Sequence, residues 1–406
     1  MNIIYLSSGC SEPKFAELVR LGYTKKLPQA QKYHNLLMEG LAASLDGSLT
    51  AIAAYPVNRA WTKKSYFPRK CETVGKVNYI YCAFRNRLGL RQWMLRRGAK
   101  REIKRLYNEN RDCVIICDVL NHSLADAARE MGKRYGIPVI GIVTDIPTHA
   151  SGARRKTLSP LSRLVSSYTA KVTEGNLKKY DAYLLLTEEM NAVVNPKGRP
   201  HIVIEGHSDA KMATVENTLA GKSTPRVAMY AGGIHREFGI ARMVDAFLRG
   251  SFDGWELHIY GDGNYQTELT ALAAANPSLK YFGSRPNSEV VAKQLEASLL
   301  LNPRLTDAEY VKYSFPSKTM ECMASGTPLL TTRLPGMPRE YYDYVSFFDD
   351  ESEEGMLAAF CEVLSLSPEE LHERGARAKR FVMENKTNVG QAKRLLAFIA
   401  DLRKKD

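Results

Sequence analysis

Short apolar runs alternate along this chain with longer stretches of helical periodicity, the pattern of α/β folds built on parallel sheets. In the first half, Asn2–Leu6, Leu49–Ala54, Tyr79–Cys82, Val114–Cys117, Val139–Val143 and Ala182–Leu186 read as buried strands. Between them, Gln29–Leu45 and Ser123–Tyr135 repeat apolar residues three and four apart and are expected to be helices. Residues 208–225 are polar, contain Gly221, Ser223, Thr224 and Pro225, and read as the passage between two domains. A second series opens at Arg226-Val-Ala-Met-Tyr-Ala-Gly-Gly. It continues with strands at Glu256–Tyr260, Leu279–Phe282, Ala297–Leu301, Pro328–Thr332 and Val345–Phe348. Helices around Met356–Leu364 and at Gln391–Leu402 complete it. The expectation is an α/β protein of two doubly wound domains, residues 1–207 and 208–387, facing each other across a cleft at the carboxyl ends of their strands. The last helix, within 388–406, is expected to pack back on the first domain.

A length of 406 residues agrees with two cores rather than one. No apolar run reaches the roughly 20 residues a membrane-crossing helix needs. The opening Met1-Asn-Ile-Ile-Tyr-Leu-Ser-Ser lacks a basic segment and reads as a first strand, not a signal peptide. Seven cysteines show no CxxC pair and no ligand-like spacing with histidine, which suits reduced, packed thiols in a cytoplasmic protein.

Charge changes the picture. Residues 1–200 carry 33 Lys+Arg against 16 Asp+Glu, whereas the remainder carries 24 against 28. A basic first half expects an anionic partner: a membrane surface, a phosphorylated acceptor or nucleic acid. Nucleic acid is disfavoured because no binding-module signature is present and aromatics do not interleave with the basic runs. The stretch 88–107 is basic and holds Trp93, Met94 and Leu95 beside its charges; it reads either as a helix lying on anionic lipid or as a solvated basic helix packed through Leu95, Ile103 and Leu106. Arg154-Arg-Lys156 adds a second basic patch.

Three pieces of the second half carry chemistry. Gly232 and Gly233, between a strand and a helix, would let backbone N–H groups approach a phosphate, or simply make a tight turn. Gly261 and Gly283 end two further strands, where a planar base can lie on bare backbone. The most specific piece runs from Leu301-Asn-Pro-Arg304 through Glu309-Tyr-Val-Lys-Tyr-Ser-Phe-Pro-Ser317-Lys318-Thr-Met-Glu321 to Gly326-Thr-Pro328. Pro316 and Ser317 suit a helix start, and Lys318 in the first turn opposes the helix dipole unless an anion is also present. Glu321 lies one turn later, where a carboxylate can accept hydrogen bonds from vicinal ribose hydroxyls.

The order of these pieces resembles the retaining GT-B glycosyltransferases of family 4, the glycosyl transferases group 1 type of bacterial polysaccharide biosynthesis, over Arg226–Arg380. The first half resembles their acceptor domain more loosely, through Gln31-Lys-Tyr-His34 and Val143-Thr-Asp-Ile-Pro147. The resemblance implies two Rossmann-like domains and a nucleotide-sugar donor in the second, with Glu321 on the ribose and Lys318 on the diphosphate. It also implies transfer with retention to a saccharide or a polyprenyl-diphosphate-linked acceptor, on the inner face of the plasma membrane if the basic patches meet lipid. Two departures stand out. A glutamate expected eight positions before Glu321 is Tyr313, leaving Glu309 as the nearest carboxylate. An arginine and a lysine expected in the first glycine loop are Gly233 and Phe238, leaving Arg236, Arg304 and Lys318, with Arg285 nearby, as the available cations.

A departing diphosphate needs cationic stabilisation, and no Asp-x-Asp pair ends a suitable strand, so no metal and no cofactor is expected. Asp349-Asp350 reads as a solvated turn. On the acceptor side, Ser8 and Gly9 follow the first strand, Asp118 and His122 another, and Asp145 a third. Asp118, His122, Asp145 or Glu309 would position or deprotonate an acceptor hydroxyl; alternatively, Asp118 and Asn121 cap a helix beginning near Ser123. The other functional readings are a nucleotide-sugar epimerase and an inactive, partner-binding homologue.

Overall fold

Uninterrupted apolar runs make strands that are buried on both faces, and this is what the parallel sheets are made of. The computed structural model describes residues 1–24, 29–57, 61–87, 89–146, 174–307 and 309–404. They divide into two units, Met1–His207 with Asn388–Asp406, and Ser208–Thr387.

The first unit is built on strands β1 (Asn2–Ser7), β2 (Leu49–Ala53), β4 (Lys70–Val74), β5 (Val77–Tyr81), β7 (Cys113–Asp118), β8 (Val139–Val143), β9 (Ala182–Leu185) and β10 (His201–Val203). Their order is β10-β9-β8-β7-β1-β2-β5-β4, parallel except for the β4–β5 pair. The short strands β3 (Tyr66–Phe67) and β6 (Phe84–Arg85) pair beside it. Its helices are α1 (Glu12–Arg20), α2 (Gln29–Ser44), α3 (Leu90–Glu109), α4 (His122–Tyr135) and α5 (Glu189–Val194). Every residue of β7 is buried, from the Cys113 thiol to the Asp118 carboxylate. Because β7 lies between β1 and β8, the ends of these three strands deliver Ser8, Asp118 and Thr144 to one edge of the sheet.

The second unit has six parallel strands in the order β13-β12-β11-β14-β15-β16. They are β11 (Arg226–Ala231), β12 (Trp255–Tyr260), β13 (Leu279–Gly283), β14 (Leu299–Asn302), β15 (Leu329–Thr332) and β16 (Ser346–Phe348). Helices α6 (Ile240–Gly250), α7 (Gln266–Ala275), α8 (Asn287–Glu296), α9 (Ser317–Ser325), α10 (Glu353–Leu364) and α11 (Pro368–Asn385) surround the sheet. Two apolar clusters fill its faces, one centred on Phe247, Ile259 and Phe360, the other on Met229, Met323 and Tyr341. The passage 208–225 is tied to this unit. Lys222 donates to the carbonyls of Leu295 (2.8 Å) and Ala297 (2.9 Å), and Asn217 to the Ser325 carbonyl (2.8 Å).

The final helix α12 (Asn388–Lys404) packs on α2 in the first unit. Backbone nearly touches backbone there, since a Cβ on Gly40 would fall 2.1 Å from the Asn388 carbonyl. The stretch 88–107 is the helix α3, shifted to Leu90–Glu109, with Leu95 and Ile103 facing inward. Much of its charge is neutralised. Glu102, buried, holds Arg69 and Arg105, while Glu130 of α4 holds Arg96 and Lys100. Arg154–Lys156 and Pro147 lie outside the described residues.

Candidate active site

The glycine loop after β11 is fixed by backbone pairing with its neighbours. Gly232 N–H donates to the Tyr260 carbonyl (2.8 Å), Ile234 N–H to that of Asp262 (3.0 Å), and Gly261 N–H to that of Gly283 (2.8 Å). The exits of β11, β12 and β13 are thus laced together. Only glycine serves at 261: φ is +137°, and a Cβ would lie 1.7 Å from the Gly232 oxygen. Tyr281 fastens the same point by donating its hydroxyl to the Gly261 carbonyl (2.9 Å).

Lys318 reaches this loop from the first turn of α9, whose Pro316 N-cap supplies no side-chain acceptor. Its ammonium lies 4.8 Å from the Tyr230 ring centroid and donates to the Tyr230 hydroxyl at 3.4 Å. That hydroxyl donates in turn to the Gly233 carbonyl (2.9 Å). Burial lowers the Lys318 pKa; Cys322 and Glu321 pull it partly back, and Arg304 lowers it further. A partly desolvated cation at the positive end of a helix, with an arginine in its field, is an electrostatic arrangement that an anion relieves. Glu321, one turn along α9, is half-buried.

The remaining donor-side candidates divide. Arg304, after β14, packs over Phe238 (5.6 Å) and contributes to the field at Tyr230 and Lys318. Gly283 supports the loops through its carbonyl, and Ser317 is exposed at the start of α9. Arg236 pairs with Glu268 and stacks on Tyr265 (4.9 Å). Arg285 donates to the Phe282 carbonyl (3.0 Å) and approaches Glu289 (3.8 Å). Glu309 is exposed and pairs with Lys312 (3.3 Å), while Tyr313 is buried. Asp349 pairs with Arg333, and Asp350 accepts from Ser352 N–H (2.8 Å), so this acidic pair closes a surface turn.

In the first unit, a pocket of about 440 Å³ opens at the ends of β1, β7 and β8. Its polar lining is Ser8, Arg91, Gln92, Asp118, Asn121, His122, Ser123 and Thr144. Asp118 does not cap α4. One oxygen accepts the Leu120 N–H (2.9 Å), the other faces His34 Nε2 (3.6 Å), and Asn121 makes no side-chain cap. Buried His34 contacts the Tyr5 hydroxyl through Nδ1 (2.7 Å). Gly9 packs against Met38 and Asn35, and Asp145 is exposed beyond β8. Sequence reasoning missed Tyr230, Arg91 and Thr144. Tyr230 lies in a continuously buried strand, where a tyrosine reads as core. Arg91 is placed by contacts that spacing does not contain: it donates to the carbonyls of Val57 (3.0 Å) and Tyr55 (3.4 Å) and lies over the Phe84 ring (4.6 Å).

Residues 225–365 match the family described as Glycosyl transferases group 1. No curated protein matches the chain by sequence. Among solved structures, it is similar to sucrose-phosphate synthase from Thermosynechococcus elongatus, with 12% identity, TM-score 0.68 and both chains covered fully. It is also similar to the E. coli trehalose-6-phosphate protein bound with UDP-2-fluoro glucose, with 13% identity, TM-score 0.61 and 99% of each chain covered. The pneumococcal O-GlcNAc transferase in complex with UDP and GlcNAc aligns over 99% of each chain, with 11% identity and TM-score 0.59. These likenesses establish the GT-B fold, and the family match covers the unit holding Lys318 and the glycine loop. The chain thus has the fold of GT-B glycosyltransferases, and its residues 225–365 match the Glycosyl transferases group 1 family.

Proposed function

We propose that the protein transfers a sugar from a nucleotide-diphosphate donor in the second unit to an acceptor hydroxyl, with retention, without a metal and in cell-surface polysaccharide assembly. The observation that carries this reading is the seating of the Lys318 ammonium against Gly232, where it meets a phosphate approaching the glycine loop. Glu321 takes the ribose hydroxyls. In the transfer, the acceptor oxygen bonds to the anomeric carbon as the bond from that carbon to the diphosphate breaks. The electron pair leaves with the diphosphate, where Lys318 and Arg304 stabilise it and take the part a metal would otherwise play. The pocket around Asp118 and His122 receives the acceptor, and the acceptor proton passes to Asp118 or to the departing phosphate. Arg91 in that pocket favours an anionic acceptor, which suits a polyprenyl-diphosphate-linked sugar at the inner face of the membrane.

The test is a thermal-shift and calorimetric screen against UDP-, GDP-, ADP- and TDP-sugars, with and without EDTA. Selective stabilisation by one of them in EDTA is expected, with UDP-sugars first in line because two similar structures hold UDP or a UDP-sugar. A folded sample that responds to none of the four refutes the donor assignment.

A further inference from the structure

Large apolar side chains standing well out in solvent are confined to one unit. Among the described residues these are Val19, Leu21, Trp61, Tyr66, Leu90 and Trp93, with Trp93 56% and Trp61 42% exposed. None belongs to the second unit. Side-chain and strand contacts join the segments that carry them. Tyr23, two residues past Leu21, packs edge-on against Phe67 (5.9 Å), and Phe67 stacks on Phe84 (5.1 Å). Arg91, beside Leu90, lies over the Phe84 ring (4.6 Å), and Tyr66 pairs in register with Arg85. The end of α1, the segment 61–67, β6 and the first turn of α3 therefore make one surface.

That surface is also cationic. Residues 51–100 contain 12 Lys+Arg and a single carboxylate, Glu72. Lys63, Lys64, Arg85, Arg87 and Arg97 are exposed, with no carboxylate partner among the described residues. Lys64 instead sits over the Tyr23 and Phe67 rings (5.3 and 5.4 Å), and Arg97 over Trp93 (5.2 Å). Exposed tryptophan and tyrosine among unpaired cations are the combination that inserts at a lipid headgroup boundary while charge holds anionic lipid. An apolar face waiting for a second copy of this chain would meet the same cations across a two-fold axis, at a repulsive cost.

We infer that this surface, centred on Trp61, Tyr66 and Trp93, docks the protein on an anionic lipid bilayer. The binding face is thus the aromatic rim at the start of α3, not the length of the basic helix, where Arg96, Lys100 and Arg105 are already paired with Glu130 and Glu102. The inference rests on the reading above only in taking the pocket as the acceptor's. Arg91 lines that pocket and also packs on Phe84 of the rim. A lipid-anchored acceptor can therefore leave its chain in the bilayer while its head group enters beside Asp118.

The experiment is co-sedimentation of the full chain with phosphatidylcholine vesicles, with and without about 30% phosphatidylglycerol. Binding only to the anionic vesicles is expected, weakening as salt is raised. Trp61→Ser/Trp93→Ser should lower partitioning about tenfold, and Lys63→Glu/Lys64→Glu should remove the preference for anionic lipid. All four side chains are exposed, so both variants should keep the wild-type melting temperature. No binding, or equal binding by wild type and both variants, overturns the inference. So does a wild-type dimer in solution that the tryptophan variant dissociates, or capture of RNA that the variants abolish while vesicles are ignored. Nucleotide-sugar stabilisation, measured on the same samples, shows separately whether the transferase reading stands.

Discussion

The Lys318 ammonium occupies the space that a side chain on Gly232 would need: a Cβ at 232 would fall 1.5 Å from Nζ and 2.9 Å from the Tyr230 hydroxyl. The obstruction is the far end of a flexible chain, so Gly232→Ala should fold. Its effect is to push the ammonium off the loop. Donor affinity should fall by about 1.5–3 kcal/mol, the worth of a charged hydrogen bond, with little change in melting temperature. Gly261→Ala should do the reverse, because its Cβ meets backbone at 1.7 Å in a left-handed conformation. It should cost about 1–3 kcal/mol of stability. Calorimetry and chemical denaturation on the two variants separate these outcomes, and a Gly232→Ala protein that binds donor normally removes Lys318 from the phosphate.

Glu321→Ala leaves α9 intact, since the side chain is half-buried and the helix is anchored by buried Thr319, Met320 and Met323. Losing a carboxylate acceptor for the ribose should weaken donor binding by about 1.5–3 kcal/mol. Isothermal titration with the donor identified in the screen reads this directly. The pH dependence supplies a second check. Lys318 must be charged to hold a diphosphate, and burial lowers its pKa. Donor affinity should therefore decline with rising pH before an ordinary lysine would deprotonate, and Lys318→Arg should shift that decline upward.

Much of this was legible in the sequence. Runs such as Cys113–Cys117 announce strands buried on both faces, and Pro316 and Gly326 bracket α9 as punctuation should. The antiparallel strand Lys70–Val74 was not legible, because an exposed edge strand carries no apolar alternation. The helix α11 was not read either: Ser367 and Glu370 form its capping box, but Gly375 interrupts its periodicity. The cations around the glycine loop show the limit of reading by proximity in sequence. Arg236 follows the loop directly yet is held by Glu268, whereas Lys318, some 85 residues away, is the one that arrives. Which side chain reaches a strand end depends on partners in other elements, and spacing along one element does not contain them.

His207 carries a prediction about acid stability. Its Nε2–H donates to the Tyr33 carbonyl (2.8 Å), and Nδ1 is buried with no partner among the described residues, so a proton added there would find no acceptor among them. Burial pushes its pKa down to about 4. The unfolded chain takes up this proton near the ordinary histidine value of about 6.5 and the folded chain does not. The stability it contributes is therefore present above that value and lost as pH falls towards 4, about 3 kcal/mol in all. His207→Gln should lose less stability than wild type between pH 7 and 4.5 in urea titrations. Parallel losses would mean that another group sets the acid limb.

Asp118 separates acceptor chemistry from donor binding. Its carboxylate is almost fully buried, held by the Leu120 N–H and facing His34, yet it lines the pocket at the end of β7. Asp118→Asn preserves shape and the Leu120 contact while removing the charge that orients or deprotonates an acceptor hydroxyl. Transfer should fall by about 10²-fold or more, the usual worth of positioned acid–base assistance, with donor affinity unchanged. A purely structural role predicts something else: a lower melting temperature and normal turnover of the folded fraction. His34→Gln offers the finer test, because it keeps a donor towards Asp118 but drops the Tyr5 contact. If His34 acts through Asp118, this variant should retain most of the transfer rate that His34→Leu loses, with both binding donor as wild type does.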